Sequence, residues 1–150
     1  MATKRILYIS ASIGLGHVYR DLDIVGELRQ QVPAVEVKWL AAEPASMVLK
    51  QAGETLLAEA ALYANDSAIA EGAATGMRLN LFDYAFRSRQ ASAHNVQLFR
   101  QVIEREPFDV VVADEAYEIA AAGVDGPSMR RSPFVMIFDF IALMRRPTIR

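Results

Sequence analysis

Apolar positions along the chain fall into two periods, and the switches between them lay out the fold. Arg5 to Ser10 (RILYIS) is a near-continuous apolar run with two β-branched residues and a tyrosine. Such a run predicts a strand buried on both faces, as in a parallel sheet. From His17 the period lengthens. Val18, Leu22, Val25, Leu28 and Val32 recur at three- and four-residue steps, which predicts one face of a helix. Asp21 and Asp23 lie in its first turns, where a carboxylate suits the positive dipole end. Arg29 lies near the other end, and Pro33 stops the helix. Val35 to Leu40 alternates Val35, Val37 and Trp39 with Glu36 and Lys38, a second strand with one more polar face. Strand, helix and strand form a βαβ unit with a right-handed crossover and parallel strands.

Pro44 to Met77 is rich in Ala, Glu and Leu and is interrupted at Gly53, Asn65, Gly72 and Gly76. The pattern predicts short helices over 45–52 and 54–64, then a glycine-broken loop, and no strand. Leu79 to Glu106 reads as a long helix. Phe82, Phe86, Ala93, Val96, Phe99 and Ile103 hold one face, arginines occupy much of the other, and Pro107 ends it. Phe108 to Ala113 (FDVVVA) is a third buried strand. Asp114 and Glu115 open a short helix through Ala122, and Gly123 to Ser132 is a turn-rich loop. Pro133 to Phe138 (PFVMIF) is a fourth strand ending at Asp139. No internal repeat or low-complexity tract is present.

These elements predict a Rossmann-like, doubly wound α/β domain: a mainly parallel sheet sandwiched by helices. The expected spatial order is second, first, third, fourth strand. The crevice between the first and third strands, at their carboxyl ends, is then the switch point where ligands bind in such sheets. Ser10–His17 and Asp114–Tyr117 are the loops that meet there, so topology alone brings His17 near Asp114.

Composition narrows the function classes. At 150 residues, with 53% hydrophobic and 23% charged residues, the chain suits one globular domain. A net charge of −2 argues against nucleic-acid partners. There is no cysteine, and only His17 and His94 among histidines, so neither a disulfide nor a metal site is expected. No apolar run approaches the roughly 18 to 20 residues of a membrane span. MATKR leads straight into a strand without a signal-peptide layout. A cytoplasmic protein is expected, with peripheral membrane contact left open.

The candidate chemistry gathers at Ser10–Gly16. Gly14 and Gly16 let backbone approach a ligand, and the first amides of the next helix point into the same space. A phosphate, a sugar hydroxyl or a carboxylate would suit it; equally, any βαβ corner needs small residues to turn. Its glycine pattern, G-L-G-H-V-Y, is neither the dinucleotide fingerprint nor a Walker loop. His17 sits at the helix mouth, where the dipole favours the neutral ring that can accept a proton. Asp114 could orient it, and Glu115 could replace Asp114. Arg20, one turn on, could meet an anion, and Asp139 could line the crevice. Each has a plainer role too: helix cap, solvated face or strand-end turn. His94 reads as a surface or packing residue. Arg130–Arg131 and Arg145–Arg146 could touch an acidic surface or simply be solvated. Phe134 to Met144, apolar apart from Asp139, needs a covering surface.

SASIGLGHVYRDLDIVGELR, with DVVVADEAYEIAAAG and PFVMIFD, resembles the N-terminal domain of GT-B-fold glycosyltransferases, especially the UDP-glycosyltransferase and peptidoglycan N-acetylglucosaminyltransferase groups. There the first strand leads into a glycine loop with a Gly-His pair, here Gly16–His17. A later D-V-V-V strand is followed by an acidic residue and a small-residue helix, here Asp109 to Gly123. The resemblance is weak from about 43 to 105. It implies that residues 1–150 form the acceptor-side domain. The nucleotide-sugar donor, a UDP-sugar, would be held by a C-terminal domain or a partner chain, and this chain alone would be inactive. It further implies His17 as the base for the acceptor hydroxyl and Asp114 as its partner. Ser12, Gly14, Leu15, Gly16, Arg20, Glu115 and Asp139 would line the substrate site, the Gly14 and Gly16 amides contacting the acceptor or the donor diphosphate. Neither metal nor cofactor is implied. The competing readings are a non-catalytic module whose glycine loop holds a nucleotide or phosphate and whose apolar end binds a partner, and a homodimer formed through the sheet edge and the Phe134–Met144 surface.

Overall fold

A computed structural model of the chain describes residues 3–75, 78–124 and 132–139. Strands β1 (Lys4–Ile9) and β2 (Val35–Leu40) flank helix α1 (Gly16–Gln31) in sequence, and α2 (Ala45–Gln51) follows. Next come β3 (Thr55–Leu56), a 3₁₀ turn at Ala58–Ala61, α3 (Asp66–Gly72), β4 (Ala74–Thr75) and β5 (Arg78–Leu79). The long helix α4 (Leu81–Arg105), β6 (Val110–Asp114), α5 (Tyr117–Val124) and β7 (Phe134–Ile137) complete the described fold. The main sheet has the order β3-β2-β1-β6-β7, and every pairing in it is parallel. This is the expected Rossmann-like α/β architecture, with one more edge strand.

The unbroken apolar run of β1 follows from its central place. Period-2 alternation sends Ile6 and Tyr8 to one face and Leu7 and Ile9 to the other. Ile6 and Tyr8 pack with Val18 and Val25 of α1, Val37 and Trp39 of β2, and Leu49 of α2. Leu7 and Ile9 pack with Phe99 and Val102 of α4, Val111 and Ala113 of β6, and Ile119 of α5. Tyr8 and Trp39, partners in register, bring ring centroids to 4.5 Å. At the opposite end of β1, Asp109 forms a clamp. Its carboxylate accepts the Arg5 amide at 2.8 Å and Lys4 Nζ at 3.2 Å, and its own amide donates to the Arg5 carbonyl at 2.8 Å.

Several expectations are corrected. The helix expected over 54–64 is the two-residue strand β3 and the 3₁₀ turn; Lys38 and Trp39 pair with Thr55 and Leu56 over a stretch too short to show a period. The loop expected to follow holds α3 and the antiparallel β4–β5 pair. Asn65 and Asn80 act as caps, their side chains accepting the amides of Ala68 and Asp83 at the starts of α3 and α4. On α4 the expected stripe holds only in the C-terminal half. Phe99 is 2% exposed, whereas Phe82 is 91% exposed, and Phe86 and Ala93 are also exposed. The buried stripe there is Asn95, Leu98, Phe99 and Val102. Asp114 closes β6 and does not open a helix. α5 starts at Tyr117 and runs through Gly123, which was expected to begin a loop. Arg130, Arg131, Arg145 and Arg146, and the Phe134–Met144 surface beyond Asp139, lie outside the described residues.

Candidate functional site

β1 and β6 run side by side with Ile9 opposite Ala113. Their carboxyl ends therefore release the 10–15 loop and Asp114 next to each other. Gly14 turns that loop at φ 72°, a conformation that favours glycine. Leu15 precedes the first turn of α1, and Gly16 opens it. His17 then points back over β6. Its Nδ1 lies 2.9 Å from Asp114 Oδ2, and Asp114 is 0% exposed. The carboxylate can only accept, so Nδ1 is the donor of this bond.

Arg20, one turn after His17, bridges two carboxylates. Its Nη2 donates to Asp114 Oδ1 at 2.6 Å and its Nη1 donates to Asp139, just beyond β7. The bond to Asp139 most of all, then that to Asp114, holds the guanidinium even more firmly charged than usual. Arg20 Nη2 also lies 3.2 Å from His17 Nδ1, a close approach between two donors. Glu115 takes φ 50°, rare for a residue with a side chain. This turn aims its carboxylate at the site, with Oε2 3.8 Å from His17 Nε2 and Oε1 accepting the Tyr117 hydroxyl at 3.2 Å. Asp139 Oδ2 lies 3.7 Å from the same Nε2.

His17, Asp114 and Asp139 each offer an atom for a metal, all within 4.8 Å of one another. Arg20 is already bonded to both of those carboxylates and brings its positive charge to the place a cation would need.

A cleft of about 410 Å³ opens on the α4 and α5 side of this group. Ser10, Ser12 and Ile13 of the first loop form one wall, Tyr84, Ser88 and Ser92 of α4 another, and Asp114 to Glu118 the floor. Asp114 and Glu115 thus border both the cleft and His17. His94, on the exposed side of α4, donates from Nε2 to the Leu62 carbonyl at 2.9 Å.

No protein-family model matches the sequence, and no curated protein matches it. Solved structures match its fold. The chain superposes on the glycotransferase of kitacinnamycin with a TM-score of 0.59 at 13% identity, over 91% of this chain and 30% of that one. MurG of Acinetobacter baumannii gives a TM-score of 0.51 at 19% identity, over 89% of this chain and 34% of that one. The glycosyltransferase SnogD from Streptomyces nogalater gives 0.51 at 18% identity, over 91% and 34%. The fold is glycosyltransferase-like. The chain spans about a third of the length of each of these structures. No helix among the described residues is long and apolar enough to cross a membrane.

Asp21 was missed as part of the site. It is fully buried, four residues after His17 and therefore on the same side of α1. The Tyr8 hydroxyl donates to its Oδ1 at 2.8 Å and the Ser10 hydroxyl to its Oδ2 at 2.5 Å. Burial pushes its carboxyl up to about 6, against the lowering effect of the Ser10 and Tyr8 bonds. Burial likewise pushes the Tyr8 phenol well above its ordinary value. The signal was legible: Asp21 is three residues after Val18 and four before Val25, the two fully buried apolar residues of α1. A carboxylate on that line belongs to the interior rather than to the helix dipole.

Proposed function

We propose that residues 1–150 form the acceptor-side domain of a cytoplasmic, nucleotide-sugar-dependent glycosyltransferase, with a UDP-sugar as donor. The bond between His17 Nδ1 and the buried Asp114, at the switch point of the sheet, carries this reading. Asp114 fixes the tautomer that leaves Nε2 free and stabilises the imidazolium once formed. The acceptor hydroxyl gives its proton to Nε2 while its oxygen bonds to the anomeric carbon. The bond from that carbon to the diphosphate breaks, and the nucleoside diphosphate leaves with the electron pair. Arg20 positions Asp114 and Asp139. Ser12, Gly14, Leu15, Gly16 and Glu115 edge the acceptor site. The donor is held by a further domain or a partner chain, and the 150-residue chain alone does not transfer sugar.

A module that holds phosphate on the glycine loop fits less well. Among the described residues, Asp114, Glu115 and Asp139 surround the mouth of α1, and the one guanidinium beside them is engaged by two of them. The deciding experiment places His17→Ala and Asp114→Asn in this chain joined to, or mixed with, the donor-side half. Transfer from a nucleotide sugar falls about 10²- to 10⁴-fold for His17→Ala. Unchanged turnover removes His17 from the role of base.

A further inference from the structure

Helix α1 begins without the usual fastenings. No side chain caps its first turn, and Ile13 and Leu15 of the loop before it are exposed. Its inward side carries Val18, Asp21 and Val25, all fully buried. Apolar contact at the two valines is non-directional: it holds the helix on the sheet but sets its turn about its own axis only weakly. Asp21 supplies direction. Its Oδ1 accepts the Tyr8 hydroxyl at 2.8 Å and its Oδ2 accepts the Ser10 hydroxyl at 2.5 Å. Tyr8 and Ser10 are two residues apart and so share a face at the carboxyl end of β1. His17 is one helical turn back from Asp21, on the same side of α1. The turn of the helix that these bonds set therefore also sets the direction in which the His17 ring leaves it, towards Asp114 Oδ2 at 2.9 Å. An apolar side chain in place of Asp21 would continue the stripe and avoid burying a carboxylate. The carboxylate stands instead at the end of α1 that carries His17 and Arg20.

We infer that Asp21 is a positioning residue for the His17–Asp114 pair. It makes no hydrogen bond to either residue among the described ones, and acts by fixing α1 on the end of β1 through Tyr8 and Ser10. The role depends on shape and bonding rather than on charge. It concerns where the pair stands and not what the pair does, so it holds independently of the acceptor-side reading.

The tautomer of His17 reports the pair directly. Ring nitrogen resonances of the isotope-labelled 150-residue chain are read at about pH 9, above the usual range of histidine, where a ring held by Asp114 keeps its proton on Nδ1. His94, which donates from Nε2 to the Leu62 carbonyl, is the internal reference. Asp21→Val continues the apolar stripe but has neither bond, and the ratio of Nδ1–H to Nε2–H forms of His17 falls roughly tenfold, the scale of one hydrogen bond to a charged group. Asp21→Asn retains the ratio, since its amide oxygen accepts from Tyr8 and its amide nitrogen donates to the Ser10 oxygen. Ser10→Ala removes one of the two bonds and gives a smaller fall; it carries the test if Asp21→Val folds poorly. A merely structural Asp21 changes the unfolding midpoint and leaves the His17 ratio alone. An unchanged ratio in both Asp21→Val and Ser10→Ala overturns the inference. So does a loss in Asp21→Asn as full as in Asp21→Val, which would make the charge of the carboxylate the active property. Either result leaves His17 available as the base, which the transfer assay tests by itself.

Discussion

Asp21 shows how far a single side chain can depart from its place in a pattern. Its carboxyl rises from an ordinary 3.8 to about 6 because burial penalises the charge. The folded state therefore holds this proton more tightly than the unfolded state. Its contribution to stability is greatest below about pH 4, falls as pH rises, and levels off above about pH 6. The size of that fall is at most about 3 kcal/mol. Carboxyls such as Glu106 and Glu59, held low chiefly by bonds from Lys38 and Arg105, act in the opposite sense. The Asp21 effect is thus read as a difference: denaturant unfolding of the native chain and of Asp21→Asn at pH 4, 5, 6 and 7 gives a stability gap that changes across this window. A constant gap refutes it. Glu115 supplies a second expectation. Glu115→Gly relieves the strain at φ 50° and raises the unfolding midpoint by roughly 1 kcal/mol of stability. The His17–Asp114 pairing was legible because strand order alone brings the two loops together. The bridging of Asp114 and Asp139 by Arg20 was not, because side-chain reach across three elements leaves no mark on local periodicity.

Helix α4 illustrates what periodicity can and cannot supply. Its pattern located a helix of nearly the observed length, since 3.6-residue spacing runs along the whole segment. Which part of the stripe is covered depends on where the sheet ends. Phe99 and Val102 lie over β1 and β6, whereas Phe82 and Phe86 are exposed. Phe99→Ala costs about 3–5 kcal/mol and Phe82→Ser stays within about 0.5 kcal/mol, as thermal or chemical denaturation will measure. Comparable losses at both positions would mean that the N-terminal half of α4 is covered as well. β3 failed to register for a different reason. Two paired residues give one alternation, and the stabilising information lies in β2 rather than in the segment itself.

Across the molecule, burial is graded from β1 outwards. Hydrogen exchange should follow that grading: slowest in β1 and β6, faster in the β4–β5 pair and the first turns of α4. Uniform protection would contradict it. The parallel order was legible because each strand is separated from the next by a helical pattern, which leaves few right-handed solutions. The clamp at Asp109 has a consequence for how such a site can vary. It fixes β6 against β1 at the end remote from His17, and register is an all-or-none property: a slip of one residue would turn Asp114 to the other face. The loops at the carboxyl ends of these strands are thereby relieved of any duty to align them. They can lengthen, shorten or change composition while Asp114 keeps its height and direction. The Asp109 clamp is the fixed datum from which both walls of the crevice are measured, and the loops can vary without disturbing the His17–Asp114 pair.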